Sequence, residues 1–243
     1  MEKKFEPNKG KSLEIKVGNE IWLRLPVKTG IITEKDNILD LIEKHLAPLL
    51  QPNDLIFISE KVVALTQGQI VKINDVKVGK LARFLARKIN NRFGTKDFKG
   101  FGHSTPPAMQ LFINEAGYPR VLFAAAVSAI TKPLGIKGLF YLISGTKAKS
   151  IDCPMSFVIQ PYNHYAKLPI INPKKVAKEI KAKFGHDVVI IDANYIGAFS
   201  ISKSSRKIKE KFVQAVFRDN PLGQSDEMTP LCIVRKKYRS LQT

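Results

Sequence analysis

A chain of 243 residues, 44% hydrophobic and 25% charged, can bury a sizeable core as one large α/β unit or two small ones, and this excludes a disordered polymer. Forty lysines and arginines against 21 acids give a formal charge of +19, a field that gathers anions. Nucleic acid, anionic membrane, nucleotide and phosphorylated metabolite all fit that charge, and so does a merely solvated basic surface. Cys153 and Cys232 form neither a disulfide framework nor a metal-ligand pair, and no segment reaches the roughly 20 apolar residues of a membrane span. The charged stretch Met1–Lys11 has no apolar region of the secretory kind, so the expectation is a cytoplasmic protein reaching no membrane.

Alternation of apolar and polar residues predicts strands over Leu13–Val17 and Ile21–Val27, separated by the turn residues Gly18 and Asn19. Helical spacing of Ile38, Leu41, Ile42, Leu46 and Leu49 predicts a helix over Asp36–Leu50 with Asp36 as its N-cap, ended by Pro52. Leu55–Ser59 reads as a buried strand, and Val62–Ile73 as extended chain broken at Gly68. Gly79–Phe93 is an amphipathic helix with a basic outer face. Gly94–Pro107 has the composition of a linker or active-site loop.

The apolar runs Val121–Ala126 and Gly138–Ile143 read as core strands joined by a turn at Thr131–Gly135. Asn172-Pro173 starts a helix, because Asn can cap free donors and Pro at the first position loses no bonded N–H; Gly185 stops it. Asp187–Asp192 follows as a buried strand, Ser205–Phe217 as a basic amphipathic helix and Pro230–Arg235 as the last strand.

Three regions could carry chemistry. Ala116–Ile151 holds no acid in 36 residues, where the chain average would give about three, and carries Arg120, Lys132, Lys137, Lys147 and Lys149. With Gly135, Gly138 and Gly145 it could cradle phosphate, or be a fluctuation of composition. Asp192-Ala193-Asn194 places a carboxylate at the carboxyl end of a buried strand, where α/β sheets gather ligands; a simple turn is the other reading. The cluster Arg218–Glu227 holds Asp219, Asp226 and Glu227 within nine residues, suited to Mg²⁺ or Mn²⁺, to a substrate amine, or to capping and solvation alone. His103-Ser104 and Asn163-His164 lie in polar loops without metal-ligand spacing.

Read together, several segments resemble the coenzyme F420-0:γ-glutamyl ligase family, in a divergent branch. The residues that carry the resemblance are Pro26–Ile32, Asp36-Asn37, Ser59–Ala64, Gly68, Ile190–Asn194 and the Asp219–Glu227 cluster. The resemblance implies a mixed α+β fold of the α/β type, with a mixed sheet and flanking helices. On that basis the expected organisation is an N-terminal extension at 1–20 and a ligase-like domain at 21–243, with a subdomain division near 94–107. It implies a GTP- and Mg²⁺- or Mn²⁺-dependent ligase joining L-glutamate, or another amine, to a carboxylate of a phosphorylated substrate such as coenzyme F420-0, working as a homodimer. Carried onto this sequence, Asp192 matches a metal-binding aspartate and is expected, with Lys61, to be catalytic, and Lys28, Thr29, Gly30, Ser59 and Glu60 match loops near the nucleotide; Lys132 and Gly135 of the acid-free stretch are expected to face phosphate as well. His103, Ser104, Asn163, His164 and Asn194 would meet substrate, while Asp192, Asp219, Asp226 and Glu227 would hold metal. One departure stands out: the family's ligases carry a further metal-binding Asp in an Asn-Ala-Gly-Val-Asp stretch, where this chain reads Ala125-Ala126-Val127-Ser128-Ala129. A catalytically altered binding homologue is therefore the second reading, and a nucleic-acid-binding protein with basic helices the third.

Overall fold

The computed structural model describes residues 5–88, 104–155, 160–194, 197–223 and 226–237. Contacts divide the chain into two compact units, Met1–Gly68 with Ile170–Thr243, and Gln69–Pro169. The segment 94–107 thus falls inside the second unit.

The first unit is built on a six-stranded mixed sheet. Its strands are β1 (Glu14–Val17), β2 (Glu20–Val27), β3 (Leu55–Ser59), β6 (Asp187–Asn194), β7 (Gly197–Lys203) and β8 (Leu231–Lys237), in the spatial order β1-β2-β8-β3-β6-β7. β3 runs parallel to β6, and the other neighbours are antiparallel. Alternate side chains of the central strands enter two different cores. Ile56, Ile58, Val188, Ile190, Leu231 and Ile233 pack on one face. Phe57, Val189, Ile191, Cys232 and Val234 pack on the other. A sheet covered on both faces needs uninterrupted apolar strands, which is why Leu55–Ser59 and Asp187–Asp192 are legible as strands.

Helices α1 (Ile38–His45), α2 (Glu60–Thr66) and α8 (Pro173–Phe184) contribute to the first core through Ile42, Val63, Ala64, Ala177 and Ile180. Helix α9 (Glu210–Val216) covers the second through Val213 and Val216, followed by Phe217, whose ring stacks on Phe57 at 4.5 Å. Asn37, not Asp36, caps α1, its side chain accepting from the Leu39 N–H; the Asp36 carboxylate instead accepts from the Thr33 N–H and hydroxyl. At the other expected start, Asn172 is left-handed and its backbone carbonyl, rather than its side chain, receives the first N–H groups of α8.

The second unit pairs β4 (Ile70–Lys72) with β5 (Tyr165–Lys167) and adds α3 (Lys80–Lys88), α4 (Pro106–Ala116), α5 (Tyr118–Thr131), α6 (Leu139–Ser144) and α7 (Thr146–Lys149). Three expectations are corrected across the two units. Val62–Ile73 is not extended throughout but begins with most of α2, whose Glu60, Val63 and Ala64 are buried at helical spacing. Val121–Ala126 lies within α5, and Gly138–Ile143 is the left-handed Gly138 followed by α6. Short apolar runs carry no period that separates a buried strand from a helix. The alanines at 124–126 and the Gly117-Tyr118-Pro119 start decide for helix in α5. The helix expected over Ser205–Phe217 forms only from Glu210, and the end of the Gly79–Phe93 helix lies outside the described residues. No helix among the described residues is long and apolar enough to cross a membrane.

Candidate active site

Register brings four loops of the first unit to one end of its sheet. Val27 pairs with Leu231, Leu231 with Ile58, and Ser59 with Ile191. Lys28-Thr29-Gly30, Ser59-Glu60-Lys61, Asp192–Asn194 and the stretch leading into β8 therefore emerge side by side. Backbone bonds lock the gathering: the Thr29 N–H donates to the Met228 carbonyl at 3.0 Å and the Ser59 N–H to the Pro230 carbonyl at 2.9 Å. Lys28 is exposed, Lys61 half-buried and Glu60 buried. The positive φ of Gly30, +81°, turns the first loop where a side chain would be strained.

Asp192 is half-buried near the carboxyl end of β6, and its cross-strand partner is Phe199. Opposed residues in an antiparallel pair share a face. That face is the one on which Val188 and Ile190 pack, because Ala193 and Ala198, one residue away, pack into the other core.

The loop between α9 and β8 is held from several sides. Arg24, 2% exposed, is ion-paired through its guanidinium with both carboxylate oxygens of Asp219 and also donates to the Val216 and Ser12 carbonyls. Asn220, left-handed and buried, donates to the Ala193 carbonyl at 3.1 Å and the Gly223 carbonyl at 2.9 Å, tying the loop to β6 beside Asp192. Thr229 donates to the Leu222 carbonyl, and Asn8 donates to Thr229 and to the Pro221 carbonyl. Gly223 has φ +76°, and a Cβ there would overlap the Glu227 carboxyl group. Gly223→Ala is accordingly expected to displace Glu227 and weaken any ligand it holds, with a stability loss of about 1 kcal/mol or more from the backbone alone. Ligand titration beside thermal melting would separate the two effects.

Burial pushes the Asp219 carboxyl up, but the hydrogen bonds and charge of Arg24 outweigh it and hold the group below its usual value. A lowered folded pKa means that the pair stabilises the fold above about pH 4 and that this contribution is lost as the pH falls through the lowered value. Asp219→Asn should thus melt lower than the parent at neutral pH, with the gap closing in strong acid. Melting curves across that range check it, and a gap that stays constant would contradict the assignment.

The other sequence candidates belong to the second unit. Lys132 follows α5, and the Gly135 N–H, rather than standing open, donates to the Lys132 carbonyl. Ser104 precedes Thr105, the N-cap of α4. Asn163 and His164 lie in a short turn, and His164 lines a concavity of about 400 Å³ with Lys72, Asn74, Pro161 and Tyr165. His103 lies outside the described residues. The Ala125–Ala129 stretch is one flank of α5 and supplies no carboxylate. Sequence reading gave no role to Arg24 or Phe199 and none of its own to Asn220 within the Arg218–Glu227 cluster; the signal available for Arg24 was an arginine in a strand that is apolar after Glu20.

The donors at the first unit's sheet end suit a hard cation. No group of three or more His, Cys, Asp or Glu residues is gathered for a metal among the described residues. Mg²⁺ is usually held by one or two carboxylates with phosphate oxygens and water, so Asp192 with Asp226 or Glu227 fits a metal brought with a phosphate better than an all-protein cage. A family model described as F420-0:Gamma-glutamyl ligase matches residues 26–121, which is less than half of the chain. The match contains Lys28–Gly30 and Ser59–Lys61, whereas Asp192 and the Asp219–Glu227 cluster lie beyond it. No curated protein matches the chain.

Proposed function

We propose that this protein, whose residues 26–121 match the F420-0:Gamma-glutamyl ligase family model, is a carbon–nitrogen ligase that uses GTP and Mg²⁺ or Mn²⁺ to join the amine of L-glutamate to a carboxylate of a phosphorylated substrate. One observation carries the reading: the loops 28–30 and 59–61, which lie in the family match, meet Asp192 and the Asp226-Glu227 loop at one end of one sheet. A carboxylate is a poor electrophile, and GTP with its metal would supply the phosphoryl group that turns it into an acyl phosphate open to the amine. In this arrangement Asp192, with Asp226 and Glu227, holds the metal, and Asn194 supplies a further oxygen. Lys28 and Lys61 offset phosphate charge while it is redistributed. Asp219 takes a different part, holding the loop through Arg24. Lys132, Gly135, Ser104, Asn163 and His164, carried by the other unit, are outside this assignment.

Calorimetry with GTP and Mn²⁺, followed by GTP turnover with glutamate and a deazaflavin phosphodiester acceptor, tests the proposal. Absence of both binding and turnover would sink it. Binding without turnover would favour the second reading, a nucleotide- or phosphometabolite-binding homologue, which Ala125–Ala129 supports by the lack of a carboxylate. The expected partner is a second copy: Leu122, Phe123, Ile130, Leu134 and Leu142 of the second unit are between 51% and 72% exposed in the single chain, an apolar surface that a copy would cover. A monomeric mass by light scattering would remove that expectation.

A further inference from the structure

We propose that Phe199 is the platform on which the planar heteroaromatic ring of the phosphorylated ligand stacks, an inference that rests on the function proposed above. Phe199 is 54% exposed on β7 although Ala198 beside it is buried. Its register partner is Asp192, and cross-strand pairs of this kind hold their Cβ atoms about 5 Å apart on one face. Deeper on that face Ile190 is buried and Ile201 packs against the same core, so the Asp192–Phe199 pair is the point where the face comes out from under its helices.

The neighbouring glycine leaves the ring uncrowded: a Cβ at Gly197 would come to 3.7 Å from Cε2 and 3.9 Å from Cζ of Phe199, a space that the glycine leaves open beside the ring at the end of the β6–β7 pair. An exposed phenyl ring on a strand offers a stacking surface that discriminates little between heterocycles, since all have a π-face. A molecule that joins a flat ring to phosphate through a short polyol or sugar would then place its ring on Phe199 and its anionic part towards the divalent cation that Asp192 would hold. Guanine nucleotide and deazaflavin phosphodiester share this chemistry, and the experiment separates them.

The test titrates the full-length parent, Phe199→Ala, Phe199→Leu and Phe199→Trp, each with Mn²⁺, against GTP, a deazaflavin phosphodiester and ring-free tripolyphosphate. Binding is followed by calorimetry and, for the deazaflavin, by fluorescence quenching. Loss of one stacked base is expected to weaken binding about 5- to 100-fold in the Ala and Leu variants for whichever ring ligand uses the platform. Tripolyphosphate binding should be unchanged and Phe199→Trp should retain ring affinity. Equal affinity of parent and Ala or Leu variant for both ring ligands overturns the inference. So does a parallel loss for tripolyphosphate, which would mark a structural role, or a change in oligomeric mass without ring-dependent loss. If Asp192→Ala abolishes binding while the Phe199 variants bind normally, the stacking role falls and the proposed function stands. A parent that binds none of the three ligands overturns both.

Discussion

Asp192→Ala is expected to weaken Mn²⁺-dependent GTP binding by about 100-fold or more, because loss of groups that merely orient a metal ligand already costs about 10- to 100-fold. The carboxylate stands half-buried at the end of β6 and makes no hydrogen bond or ion pair among the described residues, so its removal should leave the fold intact. Circular dichroism and melting temperature should match the parent. Asp192→Asn keeps one oxygen donor without the charge and should fall between the two. GTP affinity measured in chelator is expected to be equal in all three proteins, since the difference arises only through the metal. Unchanged affinity of Asp192→Ala with Mn²⁺ would remove this residue from the site.

The largest stability effect is expected at a different carboxylate. Asp54 is 1% exposed and accepts from Nε and Nη2 of Arg235 at 2.8 and 2.7 Å and from the Gln51 N–H at 2.8 Å. Arg235, which also donates to the Leu49 carbonyl, is itself largely buried. Breaking a buried pair from one side strands the remaining charge, and such losses run to about 3–5 kcal/mol. Asp54→Ala should therefore lower the unfolding free energy of the first unit by an amount in that range, read in a urea titration as an earlier midpoint at unchanged slope. The double replacement Asp54→Leu with Arg235→Met should recover much of the loss, because an apolar pair of similar volume leaves no charge unsolvated. A double variant as unstable as the single one would show that the pair contributes attraction well beyond its desolvation cost.

These two acids illustrate what a sequence conceals. Asp54 and Arg235 lie 181 positions apart, and Arg24 and Asp219 lie 195 apart. Each looks, in sequence, like one more charge on a basic protein. Asp219 stands within the acidic cluster and reads as a metal ligand there, yet its carboxylate is taken up by Arg24, whereas nothing of that kind engages Asp192 among the described residues. Helix α5 was illegible for a related reason: Val121–Ala126 is apolar without a break, and only its setting makes Val121 and Ala124 the buried positions.

By itself the sequence determined the elements whose side chains obey a local rule. Leu55–Ser59 and Asp187–Asp192 are apolar on both faces because both faces of their sheet are covered, and Asn172-Pro173 with Gly185 marks α8 because helix ends leave backbone groups that these residues accommodate. The loops with family character, Lys28–Gly30 and Ser59–Lys61, were also legible. Only the tertiary structure decided which charges are taken up in ion pairs that hold the fold, and only it set Phe199 opposite Asp192. The physical reason is that strand order and register are fixed by contacts between distant segments: β8, last in the chain, inserts between β2 and β3, and that insertion brings its preceding loop to the Ser59 and Thr29 backbones.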